Sequence, residues 1–161
     1  MGHPGGGLVR RISMNFRPAT LDDCALLAEL NHQLIRDEGH RNRMTVPELK
    51  ERMESWLAAE YSAVLFEDQG QVIACAVYRL QPTEIYLRQL FVVSHRRRQG
   101  IGRQVMEMLR SRIWPKNRRL TVEVLVQNTA AVAFWRAVGY QDYSLKLEIL
   151  PAPLPPPTPA E

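Results

Sequence analysis

The chain is poor in cysteine and has no long apolar run. No stretch of its 161 residues approaches the ~20 consecutive apolar residues that a membrane-spanning helix needs. The glycine-rich residues 1–13 contain Arg10 and Arg11 but no apolar core, which argues against a secretory signal. The two cysteines, Cys24 and Cys75, have no partner at metal-ligand spacing, so we expect buried reduced thiols and no metal site. These absences favour a cytoplasmic location and no membrane partner.

The length and composition fit one globular domain. A chain of 161 residues that is 45% hydrophobic can bury an ordinary core. We predict a flexible N-terminal extension over residues 1–13, a folded domain over residues 14–150, and a proline-rich, disordered tail over residues 151–161.

The positive charge is mild overall but concentrated in one part of the chain. The formal net charge is +4, and arginines and lysines are dense between residues 96 and 119. A nucleic-acid surface would interleave aromatic side chains with such basic ones, and this segment does not. A small phosphate-bearing cofactor explains a local basic cluster equally well, so we expect no nucleic-acid partner.

Apolar periodicity predicts alternating helices and strands, and therefore an α/β domain. Asp68, Gln69 and Gly70 predict a hairpin turn, and Thr45 followed by Glu48 predicts a capped helix start. The predicted helices cover residues 22–37, 46–59 and 129–138, with another after Gly102. The predicted strands lie near residue 16 and over residues 61–67, 72–80, 84–93, 119–126 and 140–150.

The most informative segment runs from residue 90 to residue 103. An apolar strand pattern ends in a basic turn, and Gly100 and Gly102 open an amphipathic helix. This arrangement presents free backbone N–H groups and the positive helix end to an anion. A dinucleotide fingerprint would need a third glycine where Val105 stands, and a phosphate-binding P-loop would need lysine where Arg103 stands.

What is left, Arg97-x-x-Gly100-x-Gly102, resembles the pyrophosphate-binding signature of the GCN5-related N-acetyltransferases (GNAT family). Residues 128–140, from Asn128 through an aromatic pair to Gly-Tyr, resemble the second signature of that family. Residues 16–23 resemble its first strand and the turn into its first helix. The resemblance covers residues 14–150. It implies a mixed, mostly antiparallel sheet of six to seven strands, flanked by four helices and splayed between strands four and five.

The resemblance implies an acetyl-CoA-dependent N-acetyltransferase that acts on a primary amine of a small molecule or peptide by direct attack. Acetyl-CoA is then the cosubstrate, and no metal is needed. The backbone N–H near Phe91 or Val92 is the expected oxyanion donor, through a bulge that the family carries in strand four. Asn128 also fits a simple helix cap. The residues expected to contact the cofactor are Leu90, Phe91, Val92, Arg97, Arg98, Gln99, Gly100, Ile101, Gly102, Arg103, Asn128, Ala131 and Trp135.

The chain departs from the family at the second aromatic of the pair. Trp135 stands where a tyrosine usually protonates the departing thiolate, and an indole N–H does not act as an acid. The candidate catalytic residues are therefore Glu84, Glu123, Tyr140 and Tyr143, and the candidate substrate contacts are Glu38 and His40. A non-catalytic acyl-CoA-binding module stays open as the alternative function, and a nucleic-acid-binding domain as a weaker one. The acceptor is open, and a homodimer is compatible with the resemblance.

Overall fold

The computed structural model describes residues 12–155, which form a five-stranded sheet with helices on both faces. The strands are β1 (Asn15–Pro18), β2 (Tyr61–Asp68), β3 (Gln71–Leu80), β4 (Glu84–Val92) and β5 (Arg119–Val122). The helices are α1 (Cys24–Asp37), α2 (Val46–Ala58), α3 (Ile101–Met108) and α4 (Thr129–Ala137). The strands follow chain order in the sheet, with β1 to β4 antiparallel and β5 parallel to β4.

Local signals account for the element starts. The Thr45 hydroxyl accepts from the Glu48 N–H at 3.4 Å, and the Glu48 carboxylate accepts from the Thr45 N–H at 3.3 Å, which together form the capping box of α2. Gln69 and Gly70 both have positive φ, 50° and 78°, the backbone form that a tight two-residue hairpin between β2 and β3 requires. The hairpin and the first two helices are therefore confirmed.

The sheet separates two apolar cores. Phe66, Ile85 and Leu87 pack on one face with the buried side of α3, and Phe134 and Trp135 of α4 close that layer. Leu27, Leu30 and Met53 of α1 and α2 pack on the other face. Both cysteines lie in this second core as free buried thiols, as expected, and burial raises the pKa of Cys75 to about 12.

The predicted six to seven strands are wrong, because the sheet has five. The pattern over residues 140–150 alternates like a strand, but these residues form no strand and pair with none in the described part of the chain. Leu147 is 82% exposed and Ile149 is 99% exposed. The fifth strand is also shorter than predicted and ends at Val122, because it pairs with only the first half of β4.

The ends of the chain are partly outside the described range. Residues 1–11 of the expected extension and 156–161 of the expected tail lie outside it, and residues 151–155 are exposed without regular structure. Ile12 packs against the first core, and its carbonyl accepts a hydrogen bond from the Gln104 amide at 2.7 Å. Between residues 12 and 155, no helix has the length and apolar character that a membrane span requires.

Candidate functional site

Strands β4 and β5 are paired at their beginnings only. The parallel register runs from Glu84 opposite Arg119 to Leu87 opposite Val122 and then stops. Residues 89–92 of β4 still pair with β3, but no described strand covers their other edge. The second half of β4 therefore has no strand partner on this edge, here called the gap, as the expected splay between the fourth and fifth strands requires.

A β-bulge marks the point where the gap opens. Tyr78 of β3 pairs with Leu87, and Val77 pairs with Gln89, so Arg88 has no partner across the strand pair. The expected bulge in strand four is therefore at Arg88, before the position near Phe91 or Val92 where the oxyanion donor was predicted. An extra residue here reverses which face each later side chain of β4 occupies.

The backbone alternation shows which N–H groups face the gap. The Val93 N–H donates to the Ile73 carbonyl of β3 at 2.9 Å. Phe91, two residues earlier, points its backbone groups the same way, so those of Leu90 and Val92 point away from β3. The Val92 carbonyl indeed accepts from the Arg97 guanidinium, at 3.0 Å. Of the two expected oxyanion donors, the N–H of Val92 faces the gap and that of Phe91 does not.

The basic loop beyond β4 presents a row of free backbone donors. It begins with a short 3₁₀ turn, Ser94–Arg96, and Arg98 and Gly100 then adopt left-handed conformations with φ of 62° and 74°. The first intrahelical bond of α3 runs from the Gln104 N–H to the Gly100 carbonyl. Within the described chain, no carbonyl accepts from the N–H groups of residues 98–103, and these groups lie at the positive end of α3.

The structure requires glycine at positions 100 and 102 of this loop for different reasons. A Cβ atom at Gly100 would meet open space, so glycine serves there for its left-handed backbone. A Cβ atom at Gly102 would lie 3.2 Å from the ring of Phe134, so glycine there lets α3 approach α4. Of these two glycines, only Gly100 has a backbone conformation that favours glycine.

The arginines of the loop divide into anchored and free ones. Arg97 forms an ion pair with Asp37 at 2.6 Å, which ties the loop to the end of α1. Arg96 forms one with Asp68 at 2.7 Å. Arg98 and Arg103 are exposed and form no ion pair within residues 12–155, so both can reach a ligand at the start of α3. The Arg97 side chain is held toward β4 instead.

Helix α4 places the expected second-signature residues beside α3. The Asn128 side chain caps the helix by accepting from the Ala131 N–H at 3.2 Å, so the predicted helix cap is confirmed. Trp135 packs edge to face against Phe134 and Tyr140, with ring centroids 4.9 and 5.5 Å apart.

Residues 28–140 match the model of a family described as the acetyltransferase (GNAT) family. The chain belongs to this family. No curated protein sequence matches the chain significantly.

Solved structures share the fold at low sequence identity. Aminoglycoside N-acetyltransferase AAC(6')-Iy in complex with CoA is 16% identical, with a TM-score of 0.68 over 88% of this chain and 97% of that chain. An acetyltransferase from Thermus thermophilus is 20% identical, with a TM-score of 0.68 over 81% and 88%. A predicted acetyltransferase from Clostridium acetobutylicum, solved with acetyl-CoA, is 21% identical, with a TM-score of 0.66 over 85% and 96%.

The two candidate carboxylates on the strands of this GNAT domain have different surroundings. Glu84 accepts hydrogen bonds from Thr121 at 2.6 Å and Arg119 at 3.3 Å, so it joins β4 to β5 where they are paired. Glu123 is exposed just past the end of β5, and its charge contributes to the raised pKa of Tyr86. Glu123 is therefore at the mouth of the gap, whereas Glu84 is at the closed end.

The two candidate tyrosines also differ. The Tyr140 hydroxyl is buried without a hydrogen-bond partner in the described chain, and burial raises its pKa to about 12. Tyr143 is 84% exposed, and the Arg119 guanidinium lies 4.6 Å from its ring centroid. A pKa near 12 makes Tyr140 a weak proton donor at neutral pH.

Glu38 and His40 follow Asp37, whose ion pair with Arg97 joins the end of α1 to the basic loop. Burial raises the pKa of Glu38, and the neighbouring Asp37 raises it further while His40 opposes the shift. The His40 imidazole accepts from the Asn42 N–H at 3.4 Å. Glu38 is the candidate carboxylate whose surroundings make it a stronger base than a free glutamate.

A group of basic and aromatic side chains beside the gap was not predicted from the sequence. Arg88 at the bulge lies over the ring of Trp56 in α2, with 4.5 Å between guanidinium carbon and ring centroid. No local motif joins the group, because its members come from α2, β2, β3 and β4. They are the arginines Arg52, Arg79 and Arg88, here called the arginine cluster, and the aromatic residues Trp56, Tyr61 and Tyr86.

The described residues contain no group of three histidine, cysteine, aspartate or glutamate side chains that could hold a metal ion. The side chains at the gap are instead arginines, aromatic rings and single carboxylates.

Proposed function

We propose that the protein is an acetyl-CoA-dependent N-acetyltransferase that transfers the acetyl group to a primary amine by direct attack. The observation that carries the proposal is the gap beside residues 89–92, which leads to the free N–H groups of residues 98–103. An extended chain with amide groups fits the gap beside β4. A pyrophosphate fits the free N–H groups of residues 98–103. The family match supplies the chemistry.

In the proposed site, backbone groups bind the cofactor more than side chains do. Leu90 and Val92 offer N–H and C=O groups to the pantetheine arm, as an added strand would use them. The N–H groups of residues 98–103 hold the pyrophosphate, with Arg98 and Arg103 adding charge. The expected contacts Phe91 and Arg97 act indirectly here, because the Phe91 side chain is buried in the second core and Arg97 is paired with Asp37. Ala131 and Trp135 would line the side of α4 near the thioester.

The reaction needs a neutral amine and a stabilised oxyanion. The neutral amine nitrogen attacks the thioester carbon, a C–N bond forms, the C–S bond breaks, and the CoA sulfur leaves as thiolate. The nitrogen loses its second proton to water as the amide forms. Val92 lies nearer the pyrophosphate loop, so the proposed oxyanion donor is the N–H of Leu90, which also faces the gap and lies beside the bulge. A donor of this kind contributes about 3 kcal/mol. An alkylammonium has a pKa near 10.4, so a base helps to remove its proton. Glu38, with its raised pKa, is the proposed base, and Glu123 is the second candidate.

The departing thiolate needs no acid. A thiol of pKa about 8.5 leaves readily, and Trp135 can only donate a hydrogen bond. Tyr140 is buried and Tyr143 is on the exposed segment after α4, so neither is required.

Two measurements test the function. Titration of CoA should show binding that the double variant Arg98→Gln/Arg103→Gln weakens about tenfold or more. The double variant Arg110→Gln/Arg112→Gln removes equal charge from the later part of the same helical segment and should bind normally. Release of free thiol from acetyl-CoA in the presence of amines should follow saturation kinetics. Absence of CoA binding by the folded protein would refute the proposal.

The alternative is a non-catalytic acyl-CoA-binding module. The observation in its favour is that tryptophan replaces the acidic hydroxyl at position 135 and that the Tyr140 hydroxyl is buried. Binding of CoA without amine-dependent thiol release, over a broad amine panel, is the result that this alternative predicts.

A further inference from the structure

The arginine cluster holds three guanidinium groups around three aromatic rings. The guanidinium carbon of Arg52 is 4.3 Å from the Trp56 ring centroid, and that of Arg88 is 4.5 Å from the same centroid. Arg79 lies 5.6 Å from the ring centroids of both Tyr61 and Tyr86. Aromatic faces stabilise guanidinium groups, but they do not neutralise their charge.

Few carboxylates accompany the cluster, and Glu123, whose charge acts on Tyr86, forms no ion pair with its arginines in the described chain. Arg79 donates to Glu60 at 3.3 Å, the one carboxylate bonded to the cluster within residues 12–155, whose side chain is 65% exposed. Arg52 donates to the neutral Asn31 side chain at 3.0 Å. The Arg88 side chain forms no hydrogen bond or ion pair in the described chain. Two of the three positive charges therefore have no carboxylate partner there.

Hydrogen-bond donors are left over as well. The Nε–H groups of Arg52 and Arg79 are buried and have no acceptor in the described chain. A buried donor without an acceptor is unfavourable, and more so when it is charged. Burial lowers the pKa of Arg52, and the nearby charge of Arg88 lowers it further. The cluster is thus a set of concentrated cations that an anion would stabilise.

The cluster stands at the reacting end of the proposed site. Arg88 is the bulge residue, at the point where β5 leaves β4 and the gap opens. Leu90, whose N–H faces the gap, follows two residues later, which is about 7 Å along an extended strand. An anionic group bound at Arg88 would therefore belong to a molecule whose amine reaches the gap.

We propose that the arginine cluster is the recognition site for an oxyanion, a carboxylate or phosphate, carried by the acceptor amine. This inference rests on the proposed function. Arginine suits the task because its planar fork can donate two parallel hydrogen bonds to either group. The acceptor class is then a small anionic amine, such as an amino acid, an acidic peptide or a phosphorylated amine. Polycationic amines are poor acceptors, because they would meet unneutralised arginines.

The experiment compares amines in matched pairs that differ in one anionic group. Glycine is paired with glycinamide, β-alanine with β-alanine amide, and phosphoethanolamine with ethanolamine. Spermidine and an aminoglycoside represent the polycations. Thiol release from acetyl-CoA gives kcat and KM for each acceptor. We expect the anionic member of at least one pair to have a kcat/KM about tenfold to a hundredfold higher, mostly through KM.

Arginine variants test whether the arginine cluster causes the preference for anionic amines. Arg88→Gln should abolish the preference for the charged member, so that the ratio of the two kcat/KM values within a pair falls to about one. Arg88→Lys should restore part of it, because lysine keeps the charge but not the fork. Arg112→Gln, on the other face of the sheet, loses the same charge and should keep the full preference. CoA affinity and melting temperature, measured for each variant, confirm an intact fold and cofactor site.

The outcomes separate this inference from the function on which it rests. Turnover of spermidine or the aminoglycoside above every anionic amine would overturn the anion site and leave the acetyltransferase intact. An anionic preference that survives Arg88→Gln and Arg52→Gln would place the recognition elsewhere and overturn the assignment. Loss of CoA binding in the unmodified protein would refute the proposed function itself. A carboxylate pair that responds while the phosphate pair does not, or the reverse, identifies the oxyanion.

Discussion

Gly102 of α3 faces the ring of Phe134 in α4 so closely that a Cβ atom would lie 3.2 Å from two of its carbons. Gly102 was expected to open the helix at the anion-binding turn, and the structure adds a packing role. The same residue therefore links the helix that would hold the cofactor to the helix that carries Trp135.

The first prediction concerns this contact. In Gly102→Ala the Phe134 ring must move by a few tenths of an ångström to admit a methyl group, and this strain should cancel the roughly 1 kcal/mol that alanine normally gains over glycine in a helix. Phe134→Leu should relieve part of that strain, giving a coupling energy of about 0.5–3 kcal/mol in a double-mutant cycle. Denaturant unfolding of the starting protein, the two single variants and the double variant measures this coupling energy. Strictly additive effects of the two substitutions would contradict the packing role.

The second prediction separates backbone strain from cofactor binding. Gly100 and Gly70 both have left-handed φ, 74° and 78°, and open space around a Cβ atom. Alanine at either position should cost about 1 kcal/mol of stability. Gly100→Ala should also weaken CoA binding, because relief of the strain moves the N–H donors that follow. Calorimetric titration with CoA measures the affinity of Gly100→Ala, Gly70→Ala and the starting protein. An unchanged CoA affinity of Gly100→Ala would show that Gly100 is not part of the binding site.

The parts of the fold that were predictable depend on neighbours in the sequence. The capping pair Thr45 and Glu48, the turn at Gln69 and Gly70, and the glycine-containing loop all act within a few residues. Short-range patterns therefore located α2, the β2–β3 hairpin and the start of α3.

The features that were not predictable arise between distant segments. The bulge at Arg88 is defined by its register against β3, and the arginine cluster combines α2, β3 and β4. The alternation of residues 140–150 predicted a strand, but a strand also needs a neighbour, and none is paired with it within residues 12–155. Periodicity reports which side chains could share a face and does not report what lies beside them.

The third prediction concerns stability in acid. Arg17 donates two hydrogen bonds to Asp23, at 2.9 and 3.0 Å, and these bonds lower the pKa of Asp23 to about 2 from the ordinary 3.8. Because the folded pKa is the lower one, the stabilisation is complete above the unfolded pKa near 3.8. It disappears as the pH falls through the folded pKa of about 2. Asp23→Asn should therefore lower the melting temperature at pH 7.

The lowered pKa of Asp23 also predicts how the effect of Asp23→Asn on the melting temperature changes with pH. The difference in melting temperature between the starting protein and Asp23→Asn should stay constant from about pH 7 to about pH 5 and narrow below about pH 4. Asp22→Asn is the matched control on an exposed neighbour and should change little. A difference that stays constant down to about pH 2.5 would show that the ion pair does not control this shift.

The last prediction concerns Tyr140, whose hydroxyl is buried without a partner in the described chain. Removing an unsatisfied buried hydroxyl spares a desolvation cost of about 1–3 kcal/mol, while the ring contact with Trp135 at 5.5 Å is kept. Tyr140→Phe should therefore melt at the same or a higher temperature. It should also keep its kcat at saturating acetyl-CoA, because burial raises the Tyr140 pKa to about 12 and makes it a poor acid. Tyr143→Phe, on an exposed ring, is the control. A hundredfold fall in kcat for Tyr140→Phe with an unchanged melting temperature would instead make Tyr140 the acid that protonates the thiolate.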